Sequence, residues 1–369
     1  MSLIYNATFN SQTRILSLLD KAGNVISSCE VPSKEQLVDD PNKPLMLRAI
    51  ANNSSVTLTN NGTLSNTYQT STNGTDWTDY TLGTEISLNK RESVYFRCSN
   101  HPTTQSNSDY VQFAMTGKVE AWHNAYSMIS SSFTDTGASV GNYGMRLLFR
   151  GCTALTKAPL LLNALADYCY SFMFQGCTSL TQAPSLPATT LATKCYLSMF
   201  SGCTSLAQAP SLPATTLATE CYFTMFSGCT SLTQAPALSA TTLADYCYQN
   251  MFSGCTSLAQ APSLPATTLT KYCYLSMFRG CTSLAQAPAL PATNLRDYCY
   301  QNMFIGCTAL KEVRISATSR ISNSLTEWLS GVSATGDFYC DPNATIFPSG
   351  ESGIPSGWTR HALADYPQT

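Results

Sequence analysis

The chain has 369 residues, a formal net charge of −2 and only 11% charged residues, with Thr, Ser, Asn and Gln supplying most of its polarity. Such a near-neutral chain has no electrostatic footprint for DNA, RNA or an anionic membrane, so no nucleic-acid partner is expected. No apolar run reaches the roughly 20 residues that cross a bilayer, and the opening MSLIYNATFNSQTRILSLLDKAG lacks a basic start followed by an unbroken apolar core. Neither membrane insertion nor a secretory signal is read there.

Residues 1–45 read as a small N-terminal β element, because LIYNATF and NVISSCEV alternate apolar and polar residues before the linker-like DDPNKP at 39–44. It suits attachment to other proteins or oligomerisation of the chain with itself; an extra hairpin on the next domain is the other reading. Residues 46–125 form a second β-rich unit. SSVTLTNNG, TYQTSTNGTDWTDYTLG, EISLNKRESVYFRCSN and YVQFAMTGKVEAW suit an antiparallel sandwich. The Asn-Gly pairs at 61–62 and 73–74 predict hairpins, and Trp77, Tyr95 and Phe113 are placed in the core. The turn STNGTDW misses the spacing of a sugar-enzyme Asp-box and is read as an ordinary hairpin.

From about 126 the chain repeats itself. Cysteines 152, 177, 203, 229, 255, 281 and 307 are separated by 25 residues once and by 26 thereafter, and a second column at 169, 195, 221, 247, 273 and 299 keeps the 26-residue step. Such a period marks a solenoid, in which each unit buries its apolar face only against its neighbours. Residues 126–142 are expected to cap the first turn, and YGMRLLFRGCTALTKAP is a degenerate repeat with Gly144 and Leu148 in place of cysteine and methionine.

Each repeat has two halves. In DYCYSFMFQGC, residues Cys169, Met173 and Cys177 fall at i, i+4 and i+8, which predicts a short helix ended by Gly176. In LTQAPSLPATTL a strand-like start meets Pro184 and Pro187, so the strand must be short and polyproline-type backbone carries the chain to Leu191. Subtraction of the period predicts buried columns Leu180 to Leu310, Met173 to Met303, Phe174 to Phe304 and Leu191 to Leu295. A stack of buried free thiols, each a small hydrophobe, is preferred for the cysteines over disulfides within a turn or metal binding, since the C-x7-C spacing matches no zinc motif. After Ala309, LKEVRIS reads as a cleaner strand and SNSLTEWLSGV as a terminal helix. Residues 321–369 read as a cap whose Trp328, Phe338, Phe347 and Trp358 cover the last open core.

The unit LxxxxCYxxMFxGCTSLxxAPxLPATT resembles the leucine-rich repeat of the BspA type, also called the Treponema type. Met173-Phe174-x-x-Cys177-x-x-Leu180 matches that family's Ala-Phe-x-x-Cys-x-x-Leu, and Leu310-x-x-Val313-x-Ile315 matches its strand. The unit is longer than the family's about 23 residues, the extra length falling in APSLPATT. The resemblance covers about 143–320, and the preceding sandwich looks like modules found ahead of such arrays in gut Bacteroidetes and their phages. The expected fold is therefore mixed: N-terminal all-β sandwich-like modules, then a leucine-rich-repeat α/β solenoid of about seven 26-residue turns at 126–320. The resemblance implies attachment to matrix proteins, host cells or other microbes.

No enzyme chemistry is legible. The histidines 101, 123 and 361 lie outside the repeats, no phosphate loop, nucleophile elbow or metal cluster appears, and no catalytic residue, metal or cofactor is assigned. Binding candidates come from positions that vary among near-identical repeats, where packing does not dictate the residue. These are the column Tyr168, Lys194, Glu220, Tyr246, Tyr272 and Tyr298, and the pairs following each Cys-Tyr. A row of tyrosines suits sugar or protein contact; an idle decorated surface is the alternative. The column Gln182, Gln208, Gln234, Gln260 and Gln286 is either a stack of amides bonded to one another or a polar strip for a partner. The expectation is a non-enzymatic recognition protein contacting a host-surface glycan or protein: a phage virion appendage that docks on other virion proteins through its N-terminal module. The alternatives are a secreted bacterial surface adhesin and a virion decoration without a ligand.

Overall fold

The computed structural model describes residues 6–10, 15–19, 22, 25–30, 37–100, 106–130, 140–321 and 323–367. The chain divides into two units, residues 1–39 and 40–369. In the first, β1 (Asn6–Asn10), β2 (Ile15–Leu19) and β3 (Val25–Glu30) form an antiparallel meander with Phe9 opposite Leu16 and Leu16 opposite Cys29.

The second unit begins with β4 (Leu45–Ala49), β5 (Ser54–Asn61), β6 (Tyr68–Ser71), β7 (Thr78–Tyr80), β8 (Ile86–Leu88), β9 (Ser93–Cys98), β10 (Tyr110–Thr116) and β11 (Val119–Trp122). They make two sheets, β10-β5-β8 and β11-β4-β9-β6-β7, and the latter is extended through β11 by β12 (Leu155–Lys157) of the repeat array. The sheets meet through an edge-on contact of Phe96 and Phe113, ring centroids 5.1 Å apart. Alternation along β9 (SVYFRC) buries Val94, Phe96 and Cys98 and leaves Tyr95 on the outer face. Trp77 and Tyr95 are therefore only half-buried, contrary to expectation, and Trp77 lies beneath the Arg97 guanidinium at 4.1 Å. The Asn-Gly pair at 73–74 does join a hairpin, β6 to β7. The pair at 61–62 instead carries the chain from one sheet to the other, since β5 and β6 do not pair.

In the array, the expected helix is absent: the described residues of the repeats contain no α-helix. In residues 168–177 the N–H groups of Cys169, Ser171, Met173, Gln175 and Cys177 donate to the carbonyl three residues earlier, at 3.1–3.2 Å. The alternate N–H groups, of Tyr168, Tyr170, Phe172, Phe174 and Gly176, cross to the next repeat and donate to Thr193, Cys195, Leu197, Met199 and Ser201 at 2.8–3.0 Å. Every N–H in the stretch is thus satisfied, half of them locally and half by the neighbour. Every fourth residue lies in the left-handed region, with φ of 58° at Tyr168, 58° at Phe172 and 75° at Gly176. A ribbon of turns with a period of four places Cys169, Met173 and Cys177 in one inward line, the spacing that had suggested a helix of period about 3.6. Gly176 is accordingly the third left-handed position of a rung, not a helix terminator.

These rungs stack in register. Seven of the eight glycines at 151, 176, 202, 228, 254, 280, 306 and 331 sit against their predecessor. Residues 323–332, expected to be a terminal helix, form the last rung and accept from Tyr300, Asn302, Phe304 and Gly306 through Ser324, Thr326, Trp328 and Ser330. Behind the rungs, phenylalanines 149, 174, 200, 226, 252, 278 and 304 stack at 5.6–5.8 Å, and the buried tyrosines from 170 to 300 at 5.7–6.0 Å. The methionine column and the leucine column from 180 to 310 are fully buried.

The proline half carries little backbone pairing. Isolated parallel bridges join Gln208 to Gln234 and on to Gln260, Leu212 to Leu238, and Thr216 to Thr242. Among the described residues, beyond the parallel pairing of β12 with β11, a parallel sheet forms at the C-terminal end, from β13 (Glu312–Arg314), β14 (Gly336–Cys340) and β15 (Trp358–Ala362).

Both ends are covered. At the first rung, Phe113 N–H donates to Leu148 at 2.8 Å, Val119 N–H to Ala154 at 2.9 Å, and Phe113 stacks on Phe149 at 5.3 Å, so the sandwich core runs into the solenoid core. The cap expected over 126–142 lies partly outside the described residues. At the far end, Trp328, Phe338, Phe347 and Trp358 are buried. The indole N–H of Trp328 donates to Gly353 at 3.0 Å and that of Trp358 to Ser333 at 2.8 Å.

Candidate functional site

The column read as a binding row occupies the first left-handed position of successive rungs, so its side chains leave the ribbon at the same angle and meet along the axis. Tyr246 stacks on Tyr272 at 4.5 Å and Tyr272 on Tyr298 at 4.6 Å, with planes 7° and 4° from parallel. The Tyr298 hydroxyl accepts from Asn323 at 3.0 Å. Toward the N-terminus, Tyr168 stacks on Tyr143 at 4.6 Å. Lys194 donates to the Tyr168 hydroxyl at 3.0 Å and pairs with Glu220 at 3.2 Å. The hydrogen bond to Tyr168 and the pairing with Glu220 hold the Lys194 ammonium above its ordinary range, against a partial desolvation. Desolvation within the stack, followed by neighbouring Tyr246 and Tyr298, raises the Tyr272 hydroxyl.

All six residues of the column are half-buried. Tyr272 is stacked on both faces and Tyr168, Tyr246 and Tyr298 on one face each by a neighbouring tyrosine, so the row offers a partner mainly a line of hydroxyls and ring edges, broken by one Lys–Glu pair. Tyr143 and Asn323 extend that line and were missed, although Tyr143 stands one 25-residue step before Tyr168. The pairs following each Cys-Tyr are less exposed than their variability suggests: Ser171, Leu197, Ser198 and Ser276 are buried.

The five glutamines are all exposed, on the proline half. Among the described residues their amides do not bond to one another; the bridges through Gln208, Gln234 and Gln260 are made by backbone. Gln286 alone uses its side chain, donating to Glu312 and, at 2.7 Å, to the Tyr366 hydroxyl.

The cysteines from Cys98 to Cys340 are all unpaired and buried. In the column from 177 to 307 each thiol donates to the phenylalanine carbonyl of the previous rung at 3.0–3.1 Å. Burial pushes the thiols of Cys195, Cys255, Cys299 and Cys307 up to about 12. Such thiols are packing elements, not nucleophiles.

A stack of like-sized repeats that buries leucine, phenylalanine and cysteine columns and is closed at both ends defines a leucine-rich-repeat solenoid. Comparison with family models agrees in detail: residues 118–258 and 219–327 match the BspA type leucine rich repeat region (6 copies), together spanning 118–327 and more than half of the chain. The chain belongs to this family. Repeats of this kind serve protein interaction and are generally non-enzymatic, and proteins that carry them are typically found at surfaces or outside the cell. No curated protein and no solved structure matches the chain. Among the described residues, no helix is long and apolar enough to cross a membrane.

Proposed function

We propose that the chain is a non-enzymatic recognition protein that presents the turn side of its solenoid to a host-surface protein or glycan. One observation carries this reading: side chains that differ from rung to rung gather on the turn side, while the buried columns and the proline half repeat almost unchanged. Since each tyrosine of the row has at least one face stacked on a neighbouring tyrosine, recognition there works mainly by hydrogen bonds to a line of tyrosine hydroxyls, with Lys194 and Glu220 as the charged centre. This suits a polar protein surface, or the hydroxyl edge of a glycan, better than stacking against the face of a sugar. The test is binding of the intact protein to host-cell surfaces before and after Tyr246→Ala/Tyr272→Ala/Tyr298→Ala, with Gln208→Ala/Gln234→Ala/Gln260→Ala for comparison. A loss of tenfold or more confined to the tyrosine variant supports the assignment; equal binding by both variants refutes it.

The carrier we propose is the virion of a phage of gut bacteria, with residues 1–39, a unit of their own, as the attachment module. The uncharged polar composition supports an extracellular setting. Mass spectrometry of purified virions and of bacterial surface fractions separates this from a bacterial adhesin. Stoichiometric recovery in virions supports the appendage, and recovery only in the cell-surface fraction retires it.

A further inference from the structure

The C-terminal sheet holds a cavity of about 230 Å³ that the turn-side reading does not use, lined by Ala289, Leu290, Pro291, Arg314, Ser316, Leu363 and Tyr366. Its Arg314 guanidinium lies over the Tyr366 ring at 4.4 Å. Of the neighbouring acids, Glu312 and Asp337 are engaged by other groups, and Asp365 lies between the cavity residues Leu363 and Tyr366. Glu312 accepts from the Tyr366 hydroxyl at 2.8 Å and from Gln286, and Asp337 lies 2.7 Å from His361. Among the described residues no carboxylate stands within ion-pair distance of Arg314. A planar, always-charged guanidinium held by an aromatic face at a cavity wall is suited to bidentate capture of a carboxylate.

The remaining walls narrow the choice. At about 230 Å³ the cavity is below the 300–1,000 Å³ of drug-sized sites, so it admits a single residue-sized group. Ala289, Leu290, Pro291 and Leu363 give the cavity an apolar wall, and Ser316 adds a hydroxyl beside Arg314. A sulfate or phosphate has no apolar surface to set against that wall, and an Asp or Glu side chain underfills the space. A carboxylated sugar ring has all the required parts: an anionic group, an apolar C–H face and hydroxyls.

We infer that the Arg314–Tyr366 cavity binds a carboxylate-bearing monosaccharide unit, of the uronic acid type, carried on an acidic glycan. The inference does not depend on the turn-side tyrosines, and the triple tyrosine variant should leave it intact. The experiment is titration of the full chain with glucuronic acid, glucose, acetate and a short peptide ending in leucine, followed by ligand-observed NMR. Saturable binding of glucuronic acid alone is expected. It should weaken at least tenfold in Arg314→Gln, survive in Arg279→Gln on the turn side, and be blocked in Ala289→Tyr, which fills the cavity from a half-buried position. Four results overturn the inference: no saturable binding of glucuronic acid; acetate binding as well as glucuronic acid, which means an adventitious ion only; preference for the peptide; or glucuronic acid binding that survives both cavity variants.

Discussion

The two halves of each repeat solve the same stacking problem by different means. On the turn side, alternate N–H groups cross to the next rung, from Tyr168 to Thr193 and from Gly176 to Ser201, so the backbone itself carries the register. On the proline side the backbone offers few donors, and the stack rests on buried side chains such as Leu186, Leu212 and Leu238. A backbone-held side tolerates varied residues outside its buried columns, because no particular side chain is needed to keep the rungs together. A packing-held side does not, and its sequence stays nearly constant. The variable positions read as candidate ligand contacts follow from this division.

The sharpest way to break the comparison is alkali, because both thiol columns of the array belong to the turn side. A folded-state thiol raised from 9.0 to about 12 is protonated where the unfolded chain already carries a thiolate. Its contribution is complete below pH 9 and is lost as pH rises toward 12, by about 1.4 kcal/mol per pH unit per thiol. Urea midpoints should be flat to pH 8 and fall steeply above pH 9; a flat profile to pH 11 would mean that the thiols are not buried. In the folded protein at pH 7.5 these cysteines should resist alkylation and become reactive in denaturant.

Next in size is Phe226→Ala. This ring is fully buried between Phe200 and Phe252 at 5.6 and 5.8 Å, and its removal should cost about 3–5 kcal/mol in chemical denaturation. The smallest pair compares the halves directly. Gly228 has φ of 72° and an added Cβ would meet Gly202 only at an ordinary 3.7 Å, so Gly228→Ala should cost the left-handed penalty of about 1–2 kcal/mol and no more. Pro213→Ser reproduces Ser239, which already fills that column one repeat later, and should cost under about 1 kcal/mol. A larger loss at Pro213 than at Gly228 would reverse the assignment of which half holds the register.

Much of the candidate surface was legible in outline, since variation at 168, 194, 220, 246, 272 and 298 stands out against constant neighbours. Its geometry was not. Whether a tyrosine offers its face or its edge depends on the neighbouring rung, and here the faces close on each other at about 4.5 Å. The Arg314–Tyr366 contact was out of reach for a simpler reason: 52 residues separate the partners, and only the return of the tail over β13 and β14 brings them together.

The amino-acid sequence by itself determined the period, the inward columns of Cys, Met, Phe and Leu and the aromatic cap, because these depend on composition repeated at a fixed spacing, while the unpaired state of the thiols was seen only in the structure. The tertiary structure decided between helix and turn ribbon. Over ten residues, spacings of 3.6 and 4.0 put the same side chains inward, and the two differ only in where the N–H groups of Tyr170, Phe172 and Phe174 find acceptors. Those acceptors are carbonyls 25 residues away, on Cys195, Leu197 and Met199. A helix would satisfy its N–H groups within one rung, whereas this ribbon leaves half of them for a neighbour that exists only once the repeats have stacked.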